Sequence, residues 1–75
     1  MTLLDVLKMI DGFVIIKRST RDGAEPILGP VSAYEILVKD IVDVWEDEVE
    51  RISATCWGRR NDVPCVKIIL KPKEE

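Results

Sequence analysis

The sequence predicts an α+β domain of helix-strand-strand-helix-strand-strand order. Its four strands are expected to form one mainly antiparallel sheet, with the second, capped helix packed on one face. Three observations carry this expectation: a capped stretch of helical periodicity in mid-chain, a pair of β-branched segments joined by a turn on each side of it, and a short leading segment with helical spacing.

The central stretch runs from Val31 to Trp45. Ser32 and Glu35 stand at the spacing of a capping box, in which each side chain satisfies a backbone N–H left unpaired at a helix start. Val31 and Ile36 occupy the positions of a hydrophobic staple around that cap. Tyr34, Leu37, Val38, Ile41, Val42 and Trp45 then recur at steps of three and four and define the expected buried face. The helix end is open between Lys39 or Asp40 and Trp45, because the β-branched run Ile41-Val42-Asp43-Val44 lowers helix propensity.

The other elements follow in order. Leu3 to Ile10 reads as a short helix capped from Thr2, with Leu3, Leu7 and Ile10 on one face and Asp5 in its first turn, stopped by Gly12. Phe13 to Arg18 is β-branched and aromatic, as in a strand buried on both faces. Asp22-Gly23 turns it, and Ala24 to Leu28 returns as a strand that Pro26 confines to an edge. Gly29-Pro30 then bends the chain into the central helix. Val49 to Trp57 alternates Ile52, Ala54 and Cys56 against Arg51, Ser53, Thr55 and Trp57. Gly58 to Asp62 is a turn, and Val63 to Leu70 is apolar on both sides, as expected of a central strand or one facing a second subunit. Residues 1–70 make one domain and 71–75 a polar tail.

Composition limits the function. A chain of 75 residues buries only about 60% of its unfolded surface, so self-association is a natural supplement to its core. The longest apolar run is four residues, Phe13 to Ile16, against the ~20 needed to cross a bilayer. The N-terminus has neither the basic region nor the cleavage site of a secretory leader, and Cys56 and Cys65 are too few for a disulfide scaffold. The expected address is cytoplasmic. A register closing a four-residue loop, Arg59 to Asp62, would set the two cysteines opposite each other; a reducing compartment favours two free thiols packing as small hydrophobes.

Histidine is absent, which removes the commonest general base, metal ligand and nucleophile partner. The four glycines are isolated, so no phosphate-cradling loop is formed. The chain is therefore read as a non-enzyme with no cofactor and no metal. What remains is charge placement. Seven acids against one base lie between Glu35 and Glu50, and from these Asp40, Asp43, Glu46, Asp47, Glu48 and Glu50 are the expected contact to a basic protein partner. The alternative is nucleic-acid binding by Trp57, Arg59 and Arg60 at the last turn, joined by Arg18 and Arg21 if both hairpin turns lie at one end of the sheet. The pI near 4.9 opposes that alternative.

An opening Leu3-Leu4, Leu7, Ile10 pattern, the Gly29-Pro30-Val31-Ser32 helix start and Glu48-Val49-Glu50-Arg51-Ile52-Ser53-Ala54 ahead of the last hairpin carry a resemblance. Together they resemble short uncharacterised proteins of phages and prophages of Gram-positive bacteria. That resemblance implies no site residues. It implies a protein that binds or blocks a host factor, such as a component of bacterial defence.

Overall fold

In the computed structural model, which describes residues 1–60 and 62–72, the elements are α1 (Leu3–Met9), β1 (Phe13–Thr20), β2 (Gly23–Ser32), α2 (Ala33–Lys39), β3 (Val49–Trp57) and β4 (Val63–Leu70). The expected tail lies outside the described residues from residue 73 onward, and its first residue is not loose. The Lys71 N–H donates to the Glu48 carbonyl at 3.0 Å, and the Lys71 carbonyl accepts from Arg18 Nη1 at 3.1 Å.

The α+β class stands, with a mixed sheet ordered β2-β1-β4-β3. β1 pairs antiparallel with β2 and parallel with β4, and β3 pairs antiparallel with β4. Cross-strand partners share a face. One face carries Val14 and Ile16 of β1 beside Val66, Ile68 and Leu70 of β4. These residues form the core with Leu3, Val6 and Leu7 of α1, Ala33 and Ile36 of α2, and Val42. The shortest extent of the molecule, 18 Å, is that of one helical layer on one sheet.

Two local expectations are corrected. The capping box forms at Thr2 and Asp5, not at Ser32 and Glu35: the Thr2 hydroxyl accepts from the Asp5 N–H at 3.3 Å, and Asp5 Oδ2 accepts from the Thr2 N–H at 3.2 Å. Ser32 makes no side-chain cap because it is still strand, paired with Phe13, and Glu35 instead accepts from Lys39 Nζ at 2.8 Å. The buried face of α2 is also rotated from the expected one. Ala33 and Ile36 are fully buried, whereas Tyr34 and Val38 are 73% and 61% exposed. The helix also stops at Asp40, whose left-handed φ of 53° ends it without a glycine. Val42 and Trp45 then reach the core from a loop rather than from a fourth helical turn.

That loop is pinned to α1. A helix start leaves four N–H groups unpaired, and here all are satisfied. Leu3 N–H donates to Asp47 O (2.9 Å) and Leu4 N–H to Trp45 O (3.0 Å), while Asp5 N–H donates to the Thr2 hydroxyl and Thr2 N–H to Asp5 Oδ2. β2 also runs further than expected, through Gly29 and Pro30 to Ser32, absorbing the bend as a bulge between Leu28 and Val31.

Candidate interaction surfaces

The expected acidic contact is divided by the fold. Asp47 accepts a charge-assisted hydrogen bond from Arg18 Nη2, and Glu48 lies 3.5 Å from Lys71 Nζ and 3.9 Å from the N-terminal ammonium. These two acids join the loop to β1, β4 and the chain start. Asp40, Asp43, Glu46 and Glu50 remain exposed. A shallow hollow of about 480 Å³ lies among Leu4, Asp40, Val42, Asp43, Trp45, Glu46 and Asp47. Beside it the Trp45 Nε1–H is buried, with no hydrogen-bond partner among the described residues. No group of three or more His, Cys, Asp or Glu side chains converges on a point that could hold a metal among the described residues.

The expected basic edge does not assemble. Arg18 is engaged by Asp47 and the Lys71 carbonyl, and its side chain is only 12% exposed. The two turns stand at opposite ends of the sheet, because β1 and β4 run parallel: Arg21 follows the end of β1, while Arg59 and Arg60 precede the start of β4. About seven residues of strand, roughly 23 Å, separate them. Trp57, Arg59 and Arg60 do stay together and exposed at the β3–β4 turn.

The cysteines sit on opposite faces. Cys65 pairs with Thr55 and Cys56 with Pro64, one step off the register that would have faced them, and a one-residue slip reverses which face a side chain takes. Both are free thiols, Cys56 exposed and Cys65 buried.

Two surfaces were not legible from the sequence. The first is the β3 edge. β3 is nine residues long without proline or glycine, and its core-side row Ile52, Ala54 and Cys56 is exposed, Ile52 by 46%. An apolar cleft of about 650 Å³ runs alongside, walled by Ile10, Phe13, Ala54, Cys56, Pro64 and Val66. The second is the face turned away from the helices. Register brings Phe13, Ile15 and Lys17 of β1 beside Cys65, Lys67 and Ile69 of β4, which in turn lie beside Thr55, Ser53 and Arg51 of β3. Ile69 and Cys65 are buried there, yet neither belongs to the core cluster. Period-2 reading of each strand carries this signal only once the parallel β1–β4 register is known.

Compared with family models, characterised proteins and solved structures, the chain matches none. The phage-type resemblance thus rests on its residues alone, and the surfaces carry the functional argument.

Proposed function

We propose that the chain is a non-catalytic interaction module that works through its β3 edge, first of all by pairing with a second copy of itself. The single observation behind this reading is the difference between the two sheet edges. β2 carries Pro26, Gly29 and Pro30 and two register shifts, the devices that blunt an edge against pairing. β3 offers nine residues with one shift at its start and an uncovered apolar row. An unguarded edge beside exposed apolar side chains is the arrangement used in strand addition.

Pairing about a two-fold axis at Ala54 is free of like-charge contacts. It sets Ser53 opposite Thr55 of the partner subunit and Ile52 opposite Cys56 of the partner subunit, while Arg51 meets the aromatic face of Trp57 of the partner subunit. The two clefts would then adjoin, supplementing a core that is small for an independent domain. The free carboxylates of Asp40, Asp43 and Glu46 lie in the α2–β3 segment, outside this edge, with Glu50 at the start of β3, and they suit the approach of a basic protein, the host factor of the phage-type reading.

The test is light scattering across a dilution series. The wild type is expected at twice the mass of one chain at high concentration, and Ile52→Lys or Ala54→Lys, at exposed positions, is expected at monomer mass with an unchanged circular dichroism spectrum. A wild type that stays monomeric throughout, or a dimer indifferent to both lysines, refutes the proposal.

A further inference from the structure

We propose that the sheet face turned away from the helices binds single-stranded nucleic acid. The face is read row by row across β3, β4 and β1. Arg51, Ile69 and Lys17 form one row, Ser53, Lys67 and Ile15 the next, and Thr55, Cys65 and Phe13 the third, with Trp57 and Val63 beyond it. Three cations thus share one surface, and no carboxylate stands in these rows. The nearest acids in sequence, Asp11, Glu50 and Asp62, lie at the rim, in a loop, a bulge and a turn. The net charge of −3 is therefore unevenly spread: the face is positive while the excess acid sits in the α2–β3 loop.

Two exposed aromatics complete the face. Phe13 is 47% and Trp57 51% exposed, and they stand at the same end, about 10 Å apart across the strands. An aromatic left half in water on an open sheet offers a ring for a base to stack on. The other end carries Lys17 and Arg51 on either side of the buried Ile69, with Lys67 in the middle row. Stacking at one end and phosphate contacts along the rest, with the Ser53 hydroxyl in the middle row and the Thr55 hydroxyl beside the aromatics, describe a track on the order of four nucleotides. A double helix is a poorer fit, because its bases are closed to Phe13 and Trp57. This site differs from the Arg59-Arg60 turn, which sits at the tip beyond Trp57 rather than on the sheet.

Fluorescence anisotropy of a labelled oligo(dT) or oligo(U) at low salt, with an equal-length duplex and poly-glutamate as competitor arms, tests the proposal. Trp57→Ala is expected to weaken binding roughly tenfold or more. Lys17→Gln, Arg51→Gln and Lys67→Gln remove one charge each while keeping a polar side chain, and each is expected to lower the log–log salt slope by about 0.7. Arg59→Gln with Arg60→Gln is expected to leave affinity nearly unchanged. Amide shifts on titration should cluster on Phe13, Ser53, Thr55 and Lys67. No binding at low salt, equal competition by duplex or poly-glutamate, or affinity lost through Arg59 and Arg60 instead of the sheet residues would each overturn the inference.

Discussion

Gly29 is the position at which the fold is most sensitive to a single added carbon. It sits in the β2 bulge at φ +112°, opposite β1. A Cβ there would lie 2.6 Å from the Val14 carbonyl oxygen and 2.9 Å from Ile15 Cα. Both are main-chain atoms of a central strand, so no rotamer change relieves the overlap. Restoring ordinary contact requires β2 to move by about 1 Å, which breaks one or two ladder hydrogen bonds worth ~1 kcal/mol each. The backbone angle itself costs about 1–3 kcal/mol for a side-chain-bearing residue. Gly29→Ala is thus expected to destabilise by about 2–5 kcal/mol, a large part of the ~4–11 kcal/mol typical for a chain of this length. Gly23 supplies an internal control, since its φ is +134° and a Cβ would meet nothing within 4 Å. Gly23→Ala then bears the backbone cost without the overlap. Urea denaturation followed by circular dichroism gives both values. Equal losses at the two positions would refute the steric argument, and a harmless Gly29→Ala would refute the bulge itself.

Two further predictions concern the pinned loop and the first helix. Arg18 and Asp47 are 12% and 33% exposed, and the guanidinium also holds the Lys71 carbonyl, so removing either partner strands the other. Asp47→Asn is expected to cost about 1–3 kcal/mol, and a double-mutant cycle with Arg18→Gln should return a coupling well above the ~0.5 kcal/mol of exposed pairs; additive losses would refute the clamp. In the Thr2–Asp5 capping box, the hydrogen bonds from the Thr2 backbone and side chain hold the Asp5 carboxyl below its ordinary value of 3.8. Its contribution is therefore present above that ordinary value and is lost as pH falls through the lowered one. Carboxyl titration by NMR should show Asp5 returning toward the ordinary value in Thr2→Ala, and an unmoved titration would count against the box.

The elements were legible because each is written in local terms: Thr2 and Gly12 bracket α1, Asp22-Gly23 turns the first hairpin, and β3 and β4 alternate visibly. What misled was competition between local and long-range bonding. Ser32-x-x-Glu35 reads as a cap, yet Ser32 is claimed by Phe13 across the ladder and Glu35 by Lys39. The apolar stripe from Tyr34 to Trp45 reads as one helical face, yet Asp40 turns left-handed and divides it. Arg18 was grouped with Arg21 as a free base because sequence cannot show that Asp47 meets it from the far side of α2. The parallel β1–β4 pairing decided most of the rest. It separated the two turns and gathered Lys17, Lys67 and Arg51 on one face, and no local signal announces a partner more than forty residues away.

The same geometry explains why the binding surfaces lie where they do. Each helix has seven residues, a length of about 10 Å, whereas four strands span roughly 14 Å between their outer axes. Two such helices side by side cover the central strands β1 and β4, whose core-side residues are sealed to 0% exposure at Val14, Ile16, Ile68 and Leu70. They do not reach the outer strand on the β4 side, so Ile52 keeps 46% exposure although it belongs to the same row as Ile68. Lengthening α1 would close the cleft but would need Gly12, at φ +142°, to give up the turn that feeds β1. The exposed β3 row is thus a consequence of where Gly12 and Asp40 end the helices. Covering it from outside, by another chain, is the route to a larger core that leaves those two turns intact.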